Sequence, residues 1–182
     1  MAILKIARMG HPVLKRRAAE VEDPTAPAIG RLVAGMIETI EDIDGSGLAA
    51  PQVHVGLRVV VFRVLPGRGG REGVPLTVLV NPRIEFLSEE TTLDFEGCLS
   101  VPGFVGAVPR FRQVRYTAHG LDGAEFSREA DGFHARVVQH ECDHLDGILF
   151  PQRMTDMRAF GYVDEVRRAL SPTLAARAGA AD

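Results

Sequence analysis

The run His140-Glu141-Cys142-Asp143-His144 is the feature that most constrains how this chain folds. Two histidines four residues apart lie about 40° from each other on an α-helix, so their imidazoles can bind one metal ion. Glu141 lies about 100° from His140, where it can serve as a general base for a water molecule at that metal. The run therefore predicts a helix that carries a catalytic metal. The alternative interpretation is a pair of surface or hydrogen-bonded core histidines.

The surroundings of this run predict the rest of the helix. It should extend from about Asp131 to Asp146 and end at Gly147, a residue typical of helix C-termini. Phe133 and Val137 lie seven and three residues before His140, on the same helical face, and predict an apolar pocket beside the metal. Cys142 is about 200° from His140, so we interpret it as a buried thiol outside the site.

A catalytic metal site of this kind has three protein ligands and one open position, so a third ligand is required. One metalloprotease class extends the motif to a third histidine, but this chain has Phe150 at that position, which excludes the class. Asp164 or Glu165, on a following helix, could complete the site of a small zinc endopeptidase. The thiolate of Cys98 could instead approach the helix from a sheet. The residues alone leave the last two alternatives open.

Composition predicts one globular domain and excludes several classes of partner. The chain has 182 residues, of which 46% are hydrophobic and 25% charged, and its formal net charge is −3. This size predicts a single catalytic domain over residues 1–170 and a flexible Ala-rich tail over residues 171–182. No basic field suits nucleic acid, and no apolar run would span a membrane. The N-terminus lacks a signal-peptide pattern, so we expect a cytoplasmic protein.

The order of predicted elements indicates the fold class. Helical periodicity predicts a first helix over Pro27 to Ile43 and a third over about Thr155 to Leu170. The Gly- and Arg-rich composition of residues 66–73 predicts an exposed, mobile loop. Between the helices, four runs have the residue pattern of β-strands: Leu57–Leu65, Leu76–Val80, Arg83–Leu87 and Phe111–Ala118. A further short strand is predicted near Phe126. We therefore predict an α+β fold, with a mainly antiparallel sheet packed around a central metal-binding helix and with N-terminal and C-terminal helices.

Three segments of the chain, taken together, resemble the signature segments of peptide deformylases. They are Gly45-Ser-Gly-Leu-Ala-Ala-Pro-Gln52, Glu96-Gly-Cys-Leu-Ser100 and Gln139-His-Glu-Cys-Asp-His-Leu-Asp-Gly147. The resemblance begins at Ile6-Ala-Arg-Met-Gly-His-Pro-Val-Leu14 and covers most of the chain to about Met154. The segment Val101 to Pro109 is similar to the form found in mitochondrial-type members and their bacterial relatives.

The resemblance implies a metal-dependent hydrolase that removes the formyl group from the N-terminal formyl-methionine of newly made proteins and releases formate. Cys98, His140 and His144 would hold the metal. Glu141 would take a proton from the attacking water and pass it to the leaving amine. The metal implied in the cell is Fe²⁺, with Zn²⁺ or Ni²⁺ in purified protein. The partner is a formyl-methionyl peptide or nascent chain, with a possible transient ribosome contact.

The resemblance also assigns groups that bind the substrate. The side chain of Gln52 and the backbone N–H of Leu99 would stabilise the oxyanion. Gly47 would let an extended peptide approach closely, and Gly97 is assigned to the substrate site, the alternative being a turn residue. Phe133 and Val137 suit a methionine side chain, and Glu96 is predicted to pair with Arg110. Besides the endopeptidase, the remaining alternative is an inactive paralogue that only binds protein N-termini.

Overall fold

The computed structural model describes residues 3–67 and 73–178. Its α-helices are α1 (Pro27–Asp42), α2 (Gly132–Leu145) and α3 (Val163–Ala178). Its strands are β1 (Gly47–Ala49), β2 (Val59–Val64), β3 (Val74–Phe86), β4 (Thr91–Cys98), β5 (Val101–Phe111), β6 (Gln113–His119), β7 (Glu125–Asp131) and β8 (Phe160–Tyr162). Among the described residues, no helix combines the length and apolarity that crossing a bilayer requires.

The strands form two antiparallel sheets, and α2 lies between them. The larger sheet has the strand order β1-β2-β3-β6-β7 and the smaller sheet the order β4-β5-β8. One face of α2 is apolar and packs on the larger sheet, where Ala135, Val138 and Leu145 join a core that includes Phe62 and Tyr116. The opposite face of α2 is polar and bonds to the smaller sheet. The predicted α+β fold around a central helix is confirmed.

Helix α1 follows its predicted span almost residue for residue. Its apolar stripe of Ile29, Val33, Met36 and Ile40 is buried in a second core cluster, against β1 and β2. Helix α2 also ends where predicted, since Gly147 has the left-handed φ of 74° that favours glycine after a helix. Both helices are therefore specified by local sequence.

The predicted start of the third helix at Thr155 is wrong. A short 3-10 turn occupies Met157–Ala159, and β8 follows before α3 begins at Val163. The side chain of Asp156 accepts a hydrogen bond from the backbone N–H of Arg158, which stabilises the turn instead of a continuous helix. The next residues then pair with β5 in the smaller sheet.

The strand prediction missed β1, β4, β8 and most of β5, and it divided one strand into two. The predicted strands Leu76–Val80 and Arg83–Leu87 are parts of β3, whose pairing with β6 shifts register between Val80 and Arg83. Asn81 lies at that shift with a φ of 53°, and its side chain bonds to the backbone of Val21. Of the predicted loop at 66–73, residues 68–72 lie outside the described part, as do residues 179–182 of the predicted tail.

Candidate metal centre and active site

Cys98, His140 and His144 converge between α2 and the end of β4. One ligand atom from each lies within 4.8 Å of the others. The Sγ atom of Cys98 is 3.4 Å from Nε2 of His144. Metal bonds of about 2.3 Å to sulfur and about 2.1 Å to nitrogen, at tetrahedral angles, would separate such atoms by about 3.6 Å. This donor set therefore fits one divalent metal ion.

The other ring nitrogen of each histidine is held by a fixed partner. Nδ1 of His140 lies 2.8 Å from Oε2 of Glu96, and Nδ1 of His144 lies 3.2 Å from the backbone oxygen of Ile148. Both partners are acceptors, so each ring donates through Nδ1 and keeps Nε2 as the nitrogen for a metal. The ring orientations are therefore set by the protein itself.

Burial and hydrogen bonds shift the pKa values of these groups in different directions. Burial alone would lower the pKa of His140, but hydrogen bonds with Cys98 and Glu96 raise it well above the usual range. Burial and the neighbouring His140 lower the pKa of His144 well below the usual range. Burial alone would raise the pKa of Glu96, but His140 and Arg110 lower it well below the usual range. Glu96 is therefore a buried carboxylate held in its charged form.

Glu96 belongs to a buried ionic network larger than the predicted pair. Arg110 donates two hydrogen bonds to Glu96, at 2.9 and 3.0 Å, as the sequence predicted. Arg136 of α2 also donates to Glu96, at 2.8 Å, and Arg110 reaches Asp143 at 2.6 Å. Arg153 adds two further bonds to Asp143. Sequence reasoning missed Arg136, Asp143 and Arg153. Only Asp143 had a signal, its place inside the histidine run.

Glu141 is buried beside the three ligands and lines the cavity that these groups share. Its Oε2 has no hydrogen-bond partner among the described residues, and burial raises its pKa to about 7. A Cβ atom placed on Gly47 would overlap this carboxylate. The absence of a side chain at Gly47 therefore makes room for Glu141, a reason that the sequence did not predict.

Gln52 is fixed next to Cys98. It is 1% exposed and lies in the 3-10 turn Ala50–Val53. Its Oε1 accepts from the backbone N–H of Ala49 at 2.8 Å, which turns the amide NH₂ toward the site. That group lies 3.5 Å from Sγ of Cys98 and 3.3 Å from Oγ of Ser100. A side-chain N–H donor therefore points at the ligand group.

A cavity of about 1050 Å³ joins these groups and opens to solvent. All of the predicted site residues except His144 line this cavity. Phe133 and Val137 form an apolar part of the wall on α2, within two turns of His140, as predicted. A Cβ on Gly97 would make only ordinary contacts, the nearest at 3.6 Å, so close packing does not require glycine there.

The residues that the sequence placed outside the site, or proposed as alternative ligands, lie elsewhere. Cys142 is buried in the core, and burial raises the pKa of its thiol far above the usual value. Glu165 pairs with Arg168 on exposed α3. Within residues 3–67 and 73–178, neither Asp164 nor Glu165 belongs to a metal-ligand group. This arrangement removes the structural basis for the endopeptidase alternative.

Comparison with known proteins gives consistent matches. The family model for polypeptide deformylases matches residues 3–160. Peptide deformylase 1 of Nitrosomonas europaea is 47% identical over 164 residues, which cover 89% of this chain and 93% of that protein. A Met-Ala-Ser-bound crystal structure of a class I type b peptide deformylase from Acinetobacter baumannii has a TM-score of 0.79 and 36% identity, covering 84% of this chain and 99% of that one. The peptide deformylase structure from Ehrlichia chaffeensis has a TM-score of 0.80 and 30% identity, covering 95% and 99%.

Proposed function

The chain belongs to the polypeptide deformylase family, metal-dependent hydrolases that remove the N-terminal formyl group of nascent proteins, and we propose how its own residues carry out this reaction. The single observation that carries the proposal is the position of Glu141. Glu141 lines the cavity beside the group of Cys98, His140 and His144, and its buried Oε2 has no hydrogen-bond partner within the described part of the chain.

We propose Cys98, His140 and His144 as the metal ligands, with Fe²⁺ as the metal in the cell and Zn²⁺ or Ni²⁺ as replacements in purified protein. One thiolate and two imidazoles bind each of these ions. When bound, the metal supplies Lewis-acid activation of water and of the formyl oxygen. Glu96 and the backbone of Ile148 hold the two imidazoles in the orientation that this requires.

Glu141 is proposed as the general base and acid. Its carboxylate accepts a proton from the water that attacks the formyl carbon, and it later gives that proton to the amine nitrogen as the C–N bond breaks. The products are formate and a free amino terminus. Nε2 of Gln52 and the backbone N–H of Leu99 are proposed to donate to the oxygen that becomes negative during attack.

The peptide is proposed to bind in an extended form between two sheet edges. β1 is the last strand of the larger sheet and β4 the last strand of the smaller sheet, and residues of both strands line the cavity. Edge strands have free backbone groups that can pair with an added strand. Gly47 and Gly97 leave space for that backbone, while Phe133 and Val137 contact the methionine side chain.

Formate release from formyl-Met-Ala-Ser tests this function. The protein is prepared without oxygen and loaded separately with Fe²⁺, Ni²⁺, Co²⁺ or Zn²⁺, and formate and free amine are both quantified. We expect equal amounts of the two products, with the highest rate for Fe²⁺. Absence of formate with each of these metals would refute the function and favour a protein that only binds N-termini.

We further propose that the enzyme works in the cytoplasm, where formylated chains are made, and that it contacts the ribosome only transiently. Cosedimentation of the protein with translating and empty ribosomes tests the second statement. A weak association that salt removes is expected, whereas stable binding to empty ribosomes would contradict it.

A further inference from the structure

Helix α3 lies outside the region by which the family is identified, yet it forms one wall of the active-site cavity. The family match ends at residue 160, and α3 begins at Val163. Val163, Val166, Arg167 and Leu170 line the same cavity as His140 and Glu141. The spacing of these positions, at three, four and seven residues, is one face of an α-helix. Helix α3 therefore presents a mainly apolar stripe to the cavity.

The smaller sheet provides the opposite wall. Leu93 and Phe95 of β4 and Val105 of β5 line this part of the cavity. Val105 pairs with Gly161 of β8. Val166 of α3 packs closely on Gly161, since a Cβ atom added to Gly161 would lie 3.1 Å from Cγ2 of Val166. This contact fixes the start of α3 against the sheet. We call the space between the two walls the downstream groove.

The downstream groove is continuous with the metal centre. Gly97, which is exposed and has no side chain, lies on β4 next to Cys98, and it lines the same cavity as Phe95 and Cys98. Two large apolar side chains remain open to solvent within it, with Leu93 66% and Leu170 39% exposed. A ligand that covered them would gain free energy from the removal of apolar surface from water.

We propose that the downstream groove binds an apolar side chain of the fourth residue of the formylated chain. This inference rests on the proposed function. An extended chain advances about 3.3 Å per residue, so the fourth residue lies about 10 Å beyond the methionine. Phe95 is three residues from Cys98, or about 10 Å along β4. A substrate that follows β4 outward thus brings the fourth side chain beside Phe95, between β4 and α3.

Two peptides of equal length measure this preference. The probes are formyl-Met-Ala-Ser-Leu-Ser and formyl-Met-Ala-Ser-Ser-Ser, and the measured quantity is the ratio of their kcat/KM values for formate release. We expect the metal-loaded protein to favour the first peptide by at least about tenfold, the effect of roughly one buried aliphatic group.

Variants of α3 then locate the origin of that preference. Leu170→Asp puts a charge on the wall of the groove, and Ala169→Asp puts the same charge at a neighbouring exposed position that does not line the cavity. We expect the ratio to fall about tenfold in Leu170→Asp, to fall in Val166→Ser as well, and to stay within about twofold in Ala169→Asp.

Three results would overturn the inference. If formate is released from both peptides and the ratio is the same in each variant, the groove does not bind the chain, while the proposed function stands. If Leu170→Asp raises kcat/KM equally for both peptides, α3 obstructs the site instead of binding substrate. If the unaltered protein releases no formate from either peptide, the proposed function itself fails.

Discussion

Gly47 faces the carboxylate of Glu141 so closely that no side chain fits between them. Gly47 belongs to β1, at the edge of the larger sheet, and Glu141 to α2, which lies between the sheets. The contact therefore positions the proposed general base against a strand edge that is proposed to bind the peptide. Gly47 therefore contacts the proposed general base and also belongs to the strand that is proposed to bind the peptide.

Gly47→Ala is expected to displace the Glu141 carboxylate and lower kcat/KM at least about 100-fold, because a shift of about 1 Å in a catalytic group has that effect. Gly30→Ala is the matched control. Gly30 lies within α1, nothing is within 4 Å of its added Cβ, and alanine should raise the free energy of unfolding by about 0.5–1 kcal/mol without changing activity. Equal activity of Gly47→Ala and unaltered protein would contradict the proposed position of Glu141.

The two cysteines are expected to differ completely in their effect on the metal. Cys98→Ala removes a proposed ligand, so metal content measured by mass spectrometry should fall by most of its value and formate release should be lost. Cys142→Ala removes a buried core thiol and should cost about 1 kcal/mol of stability, with metal content intact. Retention of metal and activity in Cys98→Ala would contradict the Cys98 ligand and support the alternative in which a carboxylate is the third ligand.

The buried ionic network is expected to stabilise the fold as a unit. Arg110→Met leaves the carboxylates of Glu96 and Asp143 without their shared partner, and loss of one member of a buried pair costs about 3–5 kcal/mol. The exposed Arg115, which pairs with Glu85 and Glu129, provides the control, since Arg115→Met should change stability little. Urea unfolding measures both variants, and similar small losses would show that the network contributes no more than a surface pair.

Stability is expected to depend on pH through His134. Burial and Arg128 lower its pKa to about 4, and its Nε2 lies 3.2 Å from the hydroxyl of Tyr116. Because the folded pKa lies below the unfolded value of about 6.5, the unfolded chain binds more protons, and stability falls as pH decreases from about 6.5 toward 4. After allowance for partial exposure, we expect a loss of about 1 kcal/mol between about pH 7 and about pH 5 that His134→Gln does not show. Parallel losses in both proteins would contradict this assignment.

Much of the fold and site followed from local patterns. The helical stripe of α1 and the end of α2 at Gly147 needed only residues close in sequence. The histidine spacing on α2 predicted the metal pair, and the resemblance of three short segments to a known family pointed to Cys98 and Gln52. These features are recognisable because each depends on a short segment.

The parts that could not be predicted depend on contacts between distant segments. β5 contains Pro102, Gly103, Gly106 and Pro109, residues that are poor strand formers and become part of a sheet only through pairing with β4. Arg136 and Arg153 carry no sequence signal for their roles, because their carboxylate partners are brought to them only by folding. The close approach of Gly47 to Glu141 joins two segments far apart in the chain and could not be inferred from either one.

Formate release by Glu141→Gln at full metal content tests the central claim most directly. Glutamine keeps the shape of the side chain but cannot accept the proton, and loss of a general base lowers rates about 100- to 10,000-fold. We predict that Glu141→Gln binds as much metal as the unaltered protein and releases formate from formyl-Met-Ala-Ser at least about 100-fold more slowly, while the exposed control Glu165→Gln keeps its full rate. Undiminished formate release by metal-loaded Glu141→Gln would contradict the proposed chemistry.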